Sequence, residues 1–176
     1  MRNVAKTIVY FHGYGSSAKS DKVELLKAVK DSEVFAYDIN IDPSISLKEL
    51  SDQIDLMLLD HPHENTEIVF VGTSLGAWYA AELAYVYGVK AVLINPCFEP
   101  QKSLAKYGVK QEILNKYRNI KLTTDMIVFI ALDDEVLDYT EFCKNTNIEE
   151  VHFVPFAGHR FNGEAFQEVI ERINNI

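Results

Sequence analysis

Short apolar runs rich in β-branched and aromatic residues alternate along this chain with segments of helical periodicity, and that alternation restricts the fold more than any other feature. Residues 7–11, Thr-Ile-Val-Tyr-Phe, form the first run and stop at the turn-prone His12-Gly13-Tyr14-Gly15. Apolar spacing near 3.6 follows at Val23, Leu25, Leu26 and Val29, beside the polar face of Lys22, Lys27 and Lys30, which predicts a helix over 20–30. Next comes a strand at 34–37, then a helix opened by a capping box of Ser46 and Glu49 ahead of Leu50, Ile54 and Leu58. The third pair is a strand over 67–72 and a helix over 75–87, stopped by Gly88, a residue that tolerates the positive φ of a helix C-terminus. Further strands are predicted at 91–94, 126–132 and 151–154, with helices at 139–144 and 164–173. Strands that alternate with helices are joined by right-handed crossovers. The expected fold class is therefore α/β: a mostly parallel sheet of about six strands with helices on both faces.

At 176 residues the chain is expected to be one domain spanning 1–176. Residues 96–125 break the rhythm, being long, polar and rich in Lys and Asn, and are assigned to a small cap or lid over the domain. Apolar residues make up 48%, enough for a sizeable core. A net charge of -9 repels phosphate backbones and anionic headgroups, so neither nucleic acid nor a membrane surface is an expected partner. Cys97 and Cys143 are too few and too isolated for a disulfide framework or a zinc ligand run. The first residues lack the apolar stretch of a secretory signal, and the expected location is the cytoplasm.

In a parallel sheet, functional residues lie in the loops beyond the carboxyl ends of the strands. The third predicted strand leads into Gly72-Thr73-Ser74-Leu75-Gly76, a G-x-S-x-G sequence between strand and helix, the setting of a nucleophile elbow. A serine hydroxyl is a weak nucleophile at neutral pH and needs a base held in the correct tautomer by an acid. Chain order supplies both, with Asp134 after the strand at 126–132 and His159 after the strand at 151–154. Asp133, Glu135 and Asp138 are close by, and periodicity alone does not separate Asp133 from Asp134. An oxyanion needs two backbone N–H donors: Leu75, next to the nucleophile, is one, and Tyr14, after the permissive Gly13, is the choice for the other. His12, Gly13 and Cys97 are the candidate substrate-binding residues.

At these residues the sequence resembles the YqiA/YcfP-like family of small bacterial α/β-hydrolases, sometimes described as esterases. The resemblance runs over nearly the whole chain, through 10–17, 71–80, Asn95-Pro96 with Pro100, 134–139 and 158–161. It implies a minimal α/β-hydrolase core with a triad of Ser74, Asp134 and His159, and it is the ground for preferring Asp134 to Asp133. Two departures are Asp133, where family members often carry Gly, and Glu99, where they often carry a basic residue.

The acidic group at 133–138 has no EF-hand spacing and reads as a solvated turn, and His61 and His63 read as surface loop residues. The function expected is therefore hydrolysis of a small-molecule ester or thioester by a serine enzyme that needs no cofactor and no metal. The competing class is a noncatalytic ligand- or partner-binding protein on the same scaffold.

Overall fold

The computed structural model describes residues 5–60, 66–140, 142 and 150–176. The sheet strands are β1 (Ala5–Phe11), β2 (Ser32–Tyr37), β3 (Thr66–Thr73), β4 (Lys90–Ile94), β5 (Met126–Ala131) and β6 (Val151–Val154). They pair in the order β2-β1-β3-β4-β5-β6, every pair parallel. Side chains of a strand alternate between faces, and the two cores divide accordingly. Ile8 and Tyr10 point into one cluster with Leu26, Val92, Phe129 and Phe166, while Val9 and Phe11 point into the other with Leu50, Ile54, Trp78 and Leu93. Helices α1 (Asp21–Leu26) and α6 (Glu164–Asn174) cover the first face, and α2 (Pro43–Asp60) and α3 (Leu75–Tyr87) the second.

The fold is that of the α/β-hydrolases. β2 lies on one side of β1 and β3 on the other, so the winding reverses between β1 and β3 and opens a crevice at their carboxyl ends. The loop after β1 carries His12 to Tyr14 and the turn after β3 carries Ser74, so both reach this crevice.

The structure corrects several sequence expectations. α2 begins three residues before Ser46: Pro43 occupies its first position, and the Asp42 carboxylate accepts the Ser44 N–H at 3.0 Å. Ser46 is buried instead, its Oγ accepting the Asn40 N–H at 3.2 Å, so the expected capping box does not form. α1 stops at Leu26 because Ala28 and Val29 bond back only three residues, to Leu25 and Leu26, in tightening turns that still bury Val29. Half of the helix expected over 139–144 falls on residues outside those described, as do His61, His63 and Cys143.

The segment expected as a cap consists of α4 (Pro100–Ser103), a 3₁₀ turn (Ala105–Tyr107) and α5 (Gln111–Leu114) with their connections. Its far end is tied to α3 and to the loop before α2. The Trp78 indole donates to the Arg118 carbonyl at 2.7 Å, the Tyr117 hydroxyl donates to the Ile41 carbonyl at 2.8 Å, and Arg118 pairs with the buried Glu82. Trp78 also packs edge-on against Tyr79 and Tyr117, and burial of such rings contributes about 1.5–3 kcal/mol each. Among the described residues, no helix is long and apolar enough to cross a membrane.

Candidate active site

Ser74 stands between β3 and α3 with φ 53° and ψ −117°, a conformation that a side-chain-bearing residue enters at a cost of about 1–3 kcal/mol. Close packing holds it there. A Cβ on Gly76 would lie 2.0 Å from the Phe11 carbonyl oxygen, and one on Gly72 would lie 2.3 Å from the Gly76 carbonyl oxygen. The two glycines thus let α3 seat directly against β1 and β3, which is a packing role beyond the sharp turn expected of them. The Ser74 N–H donates to the Ile94 carbonyl at 2.9 Å, and the Ser74 carbonyl accepts from Cys97 at 3.0 Å, so β4 fixes the elbow from the other side.

His159 lies in the loop after β6, and its Nδ1 is 2.8 Å and 3.0 Å from the two carboxylate oxygens of Asp134. The Asp134 side chain is 1% exposed. Burial raises its pKa, but bonds from the His159 ring and the Leu137 and Val136 amides outweigh that and hold the carboxyl below its ordinary value. The neighbouring acids Asp133 and Glu135 are exposed on a turn, as expected, and they also bond the loop that carries His159. Asp133 accepts the N–H groups of Ala157 at 3.0 Å and Gly158 at 3.1 Å, and Glu135 accepts the His159 N–H at 2.9 Å. That last bond is the main cause of a lowered Glu135 pKa. Three consecutive carboxylates therefore grip one loop, and Asp134 is the one that meets the ring.

Asn95 is a participant that sequence reasoning passed over. It is buried at the end of β4 with φ 43°, and its Nδ2 donates to the Gly158 carbonyl at 2.9 Å and the His159 carbonyl at 3.0 Å. Its Oδ1 accepts the Ala131 N–H at 2.7 Å, so one amide ties β4, β5 and the His159 loop together. Its place in Asn95-Pro96, immediately after a predicted strand, was the available signal.

A cavity of about 490 Å³ brings together Ser74, His159, Leu75, Gly13, Tyr14 and Cys97. A Cβ on Gly13 would sit 3.3 Å from the Ser74 Cβ, so the loop after β1 runs directly beside the serine. The Tyr14 ring packs on Tyr107 of the cap, with centroids 5.2 Å apart. His12 departs from its expected substrate-facing place: it is buried away from the lining. Its Nε2 accepts the Ile39 N–H at 3.0 Å, which leaves Nδ1 to donate to the Gly13 carbonyl at 2.8 Å. The ring thereby sets the loop that passes Ser74. Cys97 reaches the cavity wall with a thiol that burial pushes up to about 11, so it stays protonated at neutral pH and serves as an apolar wall.

The model of the Uncharacterised protein family (UPF0227) matches residues 7–173. The chain belongs to UPF0227. Among relatives of this UPF0227 chain, the UPF0227 protein of Shewanella woodyi is 27% identical over 142 residues, 74% of this chain and 77% of that one. The UPF0227 protein of Vibrio campbellii is 25% identical over 141 residues, with the same shares, 74% and 77%. Solved structures of the same fold include a Pyrococcus furiosus esterase, with TM-score 0.72 and 16% identity over 97% of this chain and 80% of that one. Est1E from Butyrivibrio proteoclasticus has TM-score 0.72 and 13% identity over 97% of this chain and 86% of that one. At such identities the likeness is one of fold.

Proposed function

We propose that this chain is a serine hydrolase of carboxylic esters or thioesters that works through an acyl-enzyme. The observation that carries the reading is the His159 Nδ1 bonded to the buried Asp134 carboxylate, on a cavity that Ser74, held at φ 53°, also lines. Asp134 accepts the Nδ1 proton and leaves Nε2 as the basic nitrogen. Ser74 Oγ attacks the carbonyl carbon as its proton passes to Nε2. The resulting oxyanion is held by the N–H groups of Leu75 and Tyr14, both of which line the cavity. Collapse of the intermediate expels the alcohol or thiol, which takes the proton back from the imidazolium. Water then attacks the acyl group by the same route and releases the acid and free Ser74.

The Pyrococcus furiosus esterase among the structures of like fold supports the reading, because the same scaffold there carries ester chemistry by name. Labelling by a fluorophosphonate tests it, since the reagent needs an activated serine. Labelling at Ser74 and a loss of roughly 10⁶-fold in kcat on Ser74→Ala are expected. A folded protein that stays unlabelled and hydrolyses no p-nitrophenyl ester is instead a binding protein on a hydrolase scaffold.

A further inference from the structure

The charge around the cavity opposes the charge of the chain. The chain carries -9, yet the charged side chains that line the cavity are Lys22, Lys106 and Arg160 against the single carboxylate of Asp21. Lys22 is the unusual one. It lies on α1 and is only 8% exposed, its ammonium donates to the Asn162 amide oxygen, and it sits 5.1 Å from the centre of the Phe166 ring. An amide oxygen and a ring face orient an ammonium without neutralising it. Burial lowers the Lys22 pKa, Asp21 raises it, and Arg160, which lines the same cavity, lowers it. From the cap, Lys106 donates to the Val136 carbonyl at 3.1 Å, again a neutral partner.

We propose that this cavity takes an ester or thioester bearing a second, anionic group, a carboxylate or phosphate, held by Lys22 and Arg160 with Lys106 facing it from the cap. The inference rests on the hydrolase reading and narrows its substrate class. A buried ammonium whose hydrogen-bond partner is neutral gains most from an incoming anion, since the two then form charge-assisted bonds out of bulk water. A neutral ester leaves three cations facing an apolar guest.

The test compares mono-p-nitrophenyl adipate with p-nitrophenyl hexanoate, which match in chain length and differ in the terminal carboxylate. The wild-type protein is expected to favour the adipate in kcat/KM by roughly tenfold or more. Lys22→Gln and Arg160→Gln should each erase most of that ratio, and rising ionic strength should shrink it. Arg160 is exposed, so its variant remains informative even where Lys22→Gln fails to fold. Turnover of both esters at equal kcat/KM, with Ser74 labelled, overturns the anion site and leaves the hydrolase reading intact. Absence of turnover and of labelling overturns the hydrolase reading, and calorimetric titration then decides the anion site. Hexyl phosphate and hexanoate binding about tenfold more tightly than hexanol, and losing that margin in Arg160→Gln, supports it; equal binding of the three sinks it.

Discussion

The serine elbow and the histidine loop sit on the same cavity but are held in opposite ways. The elbow is held by backbone: Gly76 lies where any Cβ would be 2.0 Å from the Phe11 carbonyl, and the Ser74 amide and carbonyl bond to Ile94 and Cys97. The histidine loop is held by side chains, Asp133, Asp134, Glu135 and Asn95, and its own glycine meets little, a Cβ on Gly158 finding Glu135 Oε2 at 3.5 Å. Backbone packing tolerates no added atom, whereas a polar clamp can lose one member and keep its shape. The positioning of Ser74 is thus part of the fold, and that of His159 is added to it.

The comparison breaks most visibly at the glycines. Gly76→Ala forces apart α3 and β1, and the expected result is loss of the cooperative fold, at a cost above about 4 kcal/mol. Gly158→Ala keeps its space and pays only for a side chain at φ 58°, about 1–2 kcal/mol. Denaturant titration of both variants is the measurement. Similar losses in the two would mean that the elbow is not held by close approach.

Within the clamp, the acids should separate by orders of magnitude. Asp134→Asn leaves the loop in place and the imidazole in the wrong tautomer, so kcat should fall by about 10⁴-fold with the fold intact. Asp133→Asn removes a charge that meets two amides and not the ring, and a much smaller loss is expected. A reversed order in ester hydrolysis would make Asp133 the acid partner. Asn95→Ala orphans the Ala131 N–H and two carbonyls of the His159 loop, which should cost about 1–3 kcal/mol of stability. Because Asn95 acts through the loop, kcat should fall while KM stays near its wild-type value, and Asn95→Asp should not restore it, lacking the donor.

Sequence and structure agree where burial on both faces dictates the pattern. β4 and β5 lie within a residue of their expected ends, since no other arrangement hides such continuous apolar runs. Short polar residues were harder. Ser46 with Glu49 has the form of a capping box, but Asp42 and Pro43 open the helix earlier and Ser46 is used from within it to hold Asn40. The elbow was legible because its constraint is local and needs glycine at fixed offsets. The clamp was not, because a carboxylate that accepts an amide from a loop more than twenty residues away looks in sequence like any solvated acid. His12 was misplaced for the same reason: its partner Ile39 lies beyond the whole of α1 and β2.

The smallest effect expected concerns acid stability, and it sharpens the contrast because the elbow carries no titratable group. Asp134 is pushed up by burial, yet its bonds to the His159 ring and to the Leu137 and Val136 amides leave it below its ordinary value. A carboxyl whose folded pKa is depressed stabilises the native state above the unfolded pKa, about 3.9 for Asp, and that contribution drains away as pH falls through the folded value. Wild type should therefore be more stable than Asp134→Asn near neutrality, with the gap narrowing below about pH 4. Glu150, held down to about 2 by Arg172 with help from burial-opposed bonding to His152, acts at the base of β6 and should add a similar slope in both proteins, so it cancels in the difference. Unfolding free energies by urea at stepped pH for the two proteins give that difference directly. A gap that stays constant through the acid range would mean that Asp134 holds the histidine loop by shape and not as a carboxylate.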